Sequence, residues 1–168
     1  MKSPAIVQHM APQSDAYLVE YLNNASALPV REAEDKETLC PGTAYLAPGG
    51  YHLLIEPDKS FSLSVDEKIN YSRPSIDVLF ESAAEAFGET LIGIVLTGAN
   101  ADGAKGLKAI KAYGGLTIVQ DPKTAESPVM PQAALAMAQV DYVIDLEGIA
   151  TLLLQLCKGK KYGTGTQG

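Results

Sequence analysis

The sequence predicts an α/β fold, a doubly wound and mostly parallel sheet with an antiparallel hairpin region at one edge. Three observations carry that prediction. In the second half, apolar strand-like runs alternate with segments of helical spacing, as in "LIGIVLT" (91–97), "DGAKGLKAIKAY" (102–113) and "GGLTIVQ" (114–120). Those strands read as near-continuous apolar runs, the pattern required of a sheet covered on both faces. The first half instead holds short strand-like pieces separated by tight turns.

Length and charge narrow the class. At 168 residues, with 46% hydrophobic and 20% charged, the chain suits one domain with a real core. It has neither a long apolar run nor a secretory-type start, so we expect a cytoplasmic protein with no direct membrane insertion. A net charge of −7 and a pI near 4.8 repel nucleic acid, which is not an expected partner. Cys40 and Cys157 lie far apart and form no CxxC, so two free thiols are expected and no metal site.

Taken in order, "PAIVQH" (4–9) reads as a strand and "SDAYLVEYLNNAS" (14–26) as an amphipathic helix. "TAYLAP" (43–48), "YHLLIEP" (51–57) and "SFSLSVD" (60–66), divided by the turns "PGGY" and "PDKS", read as the antiparallel region. In "NYSRPSIDVLFESAAEAFG" (70–88), Pro74 marks a helix start and Ile76, Leu79, Phe80 and Ala83 fall on one face. The βαβ unit of 91–120 continues through a helix at 130–140 with Pro131 in its first turn, a strand at 141–145 and a closing helix at 146–157. The Gly-rich tail 158–168 lacks periodicity and is expected to be disordered.

In open α/β sheets the working groups gather beyond the carboxyl ends of the strands. His9 ends "PAIVQH", and "TGANAD" ends the strand at 91–97, so both project from one rim if the strands are parallel. A carboxylate beside an imidazole fixes the tautomer and stabilises the imidazolium in hydrolytic triads. The residues leave other readings open. His9 alone also suits a structural histidine, and Asp102 alone suits an N-cap for the helix that follows it. Gly98, Gly103 and Gly106 resemble a phosphate loop only loosely, with neither GxGxxG nor GxxxxGK[ST]. Arg73 and Ser75 in "SRPS" suit either a cap and a surface charge or a substrate clamp.

Together, "IVQHM" (6–10), "AYLAPGGYHL" (44–53), "YSRPSIDVLFES" (71–82), "GIVLTGANADGAKGL" (93–107) and "MPQAALA" (130–136) resemble, in order, the catalytic domain of chemotaxis protein-glutamate methylesterases, the CheB family. The resemblance covers residues 4–156. It implies a Rossmann-like sheet and hydrolysis of glutamyl methyl esters on the cytoplasmic tails of methyl-accepting chemoreceptors, releasing methanol, often with deamidation of glutamines. It further implies His9 and Asp102 as catalytic residues and no cofactor. Gly98, Ala99 and Asn100 would serve the oxyanion or substrate, through a backbone amide at Ala99. Arg73 and Ser75 would be substrate-side groups, and a receiver domain could act in trans.

One departure stands out. The family's nucleophilic serine lies in a Ser-x-x-Gly-Gly-like turn after a strand that precedes "IVQHM", and this chain holds no such turn. Ser3, Ser72 and Ser75 do not match that position. The expected organisation is therefore a methylesterase-like domain over 1–157 that lacks the family's first strand, nucleophile turn and first helix, and that has little turnover by itself. The alternative is a non-catalytic module that binds receptors or signalling proteins. A nucleotide binder rests on fold analogy alone.

Overall fold

The computed structural model describes residues 2–9 and 15–159. The expected tail lies outside them from residue 160 onward. The described chain runs β1 (Ala5–Ile6), α1 (Asp15–Ala25), β2 (Val30–Glu32), β3 (Ala44–Leu46), β4 (His52–Ile55), β5 (Phe61–Ser64), α2 (Ile76–Phe87), β6 (Ile92–Val95), α3 (Ala104–Ala112), β7 (Leu116–Gln120), α4 (Val129–Met137), β8 (Tyr142–Ile144) and α5 (Leu146–Cys157).

The strands form two parallel three-stranded sheets, ordered β1-β3-β2 and β6-β7-β8, and one antiparallel pair, β4-β5. In the second parallel sheet the alternation of side chains decides which helix covers which face. Val95 and Val119 point to one side and pack with Leu107 and Ile110 of α3 and Met130 and Ala134 of α4. Ile118 points to the other, against Ile149 and Leu152 of α5. Both faces are thus covered, which is why apolar residues such as Ile118 and Val119 stand at adjacent positions of these strands rather than only at alternate ones.

The first half corrects the sequence reading in two places. Residues 43–48 do not join the hairpin region: β3 is the central strand of a parallel sheet, flanked by β1 and by β2, a strand that the turn-rich sequence around Pro29 concealed. All three residues of β3 are buried, as a central strand requires, whereas a half-exposed hairpin strand would alternate. Among the described strands, β4 and β5 alone pair antiparallel, with Leu53 opposite Leu63 and Ile55 opposite Phe61.

Helix α2 joins the two halves. Its Leu79 and Ala83 pack with Tyr45, Leu53 and Phe61. Ala84 and Phe80 pack with Leu107 and Ile110 of α3. Its N-terminus therefore arrives between the β1 sheet and the β6 sheet, beside the loop that follows β6. Both cysteines are free and exposed, and among the described residues no helix is long and apolar enough to cross a membrane.

Candidate active site

His9 stands three residues past β1 and Asp102 follows β6, so each leaves the carboxyl end of a parallel strand. Their side chains meet, with His9 Nε2 2.7 Å from Asp102 Oδ2. Asp102 is wholly buried, while the His9 side chain is 24% exposed. Three further donors reach the carboxylate: Ser75 Oγ at 2.8 Å, the Ile76 amide at 2.6 Å and the Asp77 amide at 3.0 Å.

These contacts set the charge state. Burial pushes the Asp102 carboxyl up, but the His9 imidazole, the Asp77 and Ile76 amides and the Ser75 hydroxyl outweigh it and hold it below the ordinary carboxylate value. An ionised carboxylate only accepts, so His9 Nε2 carries the proton and Nδ1 is left as the basic nitrogen. That nitrogen is free to take a proton from a hydroxyl nucleophile.

Asp102 does cap a helix, but not the one that follows it. The N-cap of α3 is Gly103, whose φ of 95° suits glycine and which makes no side-chain cap bond. The Asp102 carboxylate instead accepts from the first amides of α2. The dipole of α2 adds to its preference for negative charge.

The remaining expected residues divide. Ala99 is exposed, and its amide meets no acceptor among the described residues. Gly98 differs, because its amide donates to the Ser127 carbonyl at 3.1 Å and its own carbonyl accepts from the Met130 amide at 2.9 Å. Asn100 accepts from the Asp102 amide at 2.9 Å and donates to Ser72 Oγ at 3.3 Å, so it shapes the loop. Arg73 and Ser75, expected on the substrate side, differ in burial: Arg73 is half-buried and Ser75 is buried. Arg73 Nη1 donates to the Val65 and Asp66 carbonyls, which ties down the exit of β5. Ser75 is wholly buried; its hydroxyl is spent on Asp102 and its amide donates to His52 Nδ1 at 3.2 Å.

Three contributors escaped the sequence reading. His52 looks like one polar position in the apolar "YHLLIEP", yet it is buried and bonds the Glu67 carbonyl at 2.8 Å through Nε2. Gln120 ends β7 and accepts from the Thr97 amide at 2.9 Å, steadying the loop before Asp102. Asp77, in the first turn of α2, accepts from the Gly103 and Gly106 amides at 3.0 and 2.7 Å. An acid in a helix's first turn is a sequence signal, but it points to that helix and not to its neighbour. Among the described residues no serine is hydrogen-bonded to His9: Ser3 donates to the Cys40 carbonyl, Ser72 to that of Asn70 and Ser75 to Asp102.

A family profile described as CheB methylesterase matches residues 2–153. The chain belongs to the CheB methylesterase family. A Leptospira interrogans relative, named for protein-glutamate methylesterase and protein-glutamine glutaminase activity, is 53% identical over 151 residues, covering 90% of this chain and 78% of its own. The protein-glutamate methylesterase FrzG of Myxococcus xanthus is 40% identical over 90% of this chain, which spans 45% of FrzG. The crystal structure of the Thermotoga maritima CheB methylesterase catalytic domain superposes with a TM-score of 0.86 at 37% identity, covering 90% of this chain and 82% of that one. The mixed α/β architecture is therefore that of a CheB catalytic domain.

Proposed function

We propose that this chain carries the His–Asp half of a protein-glutamate methylesterase that hydrolyses glutamyl methyl esters on chemoreceptor cytoplasmic tails and deamidates glutamines there. The observation that carries this reading is the 2.7 Å contact from His9 Nε2 to a buried, ionised Asp102. In the proposed reaction a serine Oγ attacks the ester carbonyl and gives its proton to His9 Nδ1, and the Asp102 carboxylate stabilises the imidazolium. His9 returns that proton to the leaving methoxide, so methanol departs and an acyl-serine remains. Water then repeats the cycle to release glutamate. The exposed Ala99 amide is the proposed oxyanion donor.

The serine comes, in this proposal, from a strand and turn outside residues 1–157, so the 168-residue chain alone shows little turnover. The test joins the chain to a segment supplying the Ser-x-x-Gly-Gly-like turn and measures methanol released from methylated receptors. Release is expected, with collapse in His9→Ala. Absence of release, or indifference to His9→Ala, defeats the proposal.

The lack of a described serine beside His9 also motivates a second reading, a non-catalytic module for receptors or signalling proteins. It predicts tight binding of receptor cytoplasmic fragments by the chain, and no methanol even with the serine turn supplied.

A further inference from the structure

Helices α2 and α3 begin side by side, and neither is capped by its own residue. Ser75 at the α2 N-cap and Gly103 at the α3 N-cap make no side-chain cap bond. The caps are exchanged: Asp102, just before α3, accepts from the Ile76 and Asp77 amides of α2, and Asp77 of α2 accepts from the Gly103 and Gly106 amides of α3. Both aspartates are buried, and Asn70 Nδ2 donates to the second oxygen of Asp77 at 3.2 Å. Close approach of the helices is what allows the exchange. A Cβ at Gly106 would stand 2.6 Å from Phe80 Cβ and 3.0 Å from Asp77 Cα, closer than packed carbons tolerate.

We propose that Asp77 is a positioning residue for the His9–Asp102 pair, acting through the Gly103 and Gly106 amides to fix the turn that carries Asp102. Gly103 adjoins Asp102, so holding the Gly103 amide holds the backbone from which the Asp102 carboxylate is aimed. The bond from the Asp77 amide to Asp102 Oδ1 closes the loop and makes the two caps one unit. Burial pushes the Asp77 carboxyl above its ordinary value, and the charge of Asp102 adds to that, as expected of two carboxylates held by one pair of helix ends. The catalytic meaning of the brace rests on the function proposed above, but its existence does not.

The test uses the full chain labelled with ¹⁵N-histidine and follows exchange of the imidazole N–H protons with water. The chain has two histidines, and His52, whose Nε2 is bonded to the Glu67 carbonyl, is the internal reference. In Asp77→Ala the His9 proton is expected to exchange about tenfold faster or more while His52 keeps its wild-type rate, because the opening is local to the Asp102 turn. Asp77→Ser, whose shorter hydroxyl does not reach both glycine amides, gives an intermediate acceleration and answers the question if the alanine variant does not fold. Asp77→Asn keeps an acceptor for both amides and restores the slow rate.

An unchanged His9 rate in a folded alanine or serine variant overturns the proposal. So does equal acceleration at both histidines, which would mark loss of general stability. The methanol assay is independent of this one, so failure of the functional reading and failure of the brace are seen separately.

Discussion

His9 and Asp102 are 93 positions apart in the chain and 2.7 Å apart in space, and the carboxylate that holds the imidazole is held in turn by three donors from one helix start. Asp102→Asn keeps the shape but can donate to His9 and reverse its tautomer. In the serine-bearing form, methanol release should fall about a thousandfold or more while the circular dichroism spectrum is retained. Asp102→Ala leaves four donors without an acceptor and should cost about 3 kcal/mol or more in urea denaturation.

Ser75 donates to Asp102 from a fully buried position, so its contribution should appear in the chemical step and not in substrate affinity. Ser75→Ala removes one hydrogen bond to a charged acceptor, worth about 1.5–3 kcal/mol. Steady-state kinetics of the serine-bearing form should show a lower kcat with KM unchanged. A raised KM with normal kcat would return Ser75 to the substrate side.

The two aspartates should respond to pH with opposite signs. Asp102 has a folded pKa below its unfolded value of about 3.9, so its stabilisation is complete above that value and is lost as pH falls through the folded one. The stability deficit of Asp102→Asn should therefore shrink on acidification. Asp77 has a raised folded pKa, so it favours folding below about 3.9 and loses that contribution as pH rises through the folded value. Relative to wild type, Asp77→Asn should gain stability over that rise. Urea denaturation midpoints across an acid-to-neutral series would show both trends, and parallel slopes for the two variants would contradict the assignment.

The turn 69–72 closes with paired bonds between Ile69 and Ser72, and its tip residue Tyr71 is 97% exposed with a φ of 64°. A tyrosine in the left-handed region is strained, whereas asparagine accepts it. Tyr71→Asn should raise stability by about 0.5–1 kcal/mol, measured by thermal or urea denaturation, since no buried contact is lost.

Much of this architecture is legible in the sequence because local patterns dictate it. The alternation of 91–157 places every strand and helix of the second half, and continuous apolar runs such as Ile92–Val95 report burial on both faces. The region 43–66 misled for a physical reason: a three-residue strand is too short to show whether it alternates, so β3 and the β4-β5 pair look alike. At the site, family motifs pointed to His9 and Asp102, but they could not show that Ser75 is buried with its hydroxyl on Asp102.

The sequence by itself determined the order of elements in the second half and the family, and it singled out His9 and Asp102, because hydrophobic period, turn chemistry and motif order are written along the chain. Tertiary structure alone decided what Asp102 does besides meeting His9. Its carboxylate caps the first amides of a helix that starts 26 residues earlier, and the acid that caps the helix following it is Asp77. A cap that crosses between helices leaves no fixed spacing in sequence. It exists only once Gly106 lets α2 and α3 approach closely enough to exchange carboxylates.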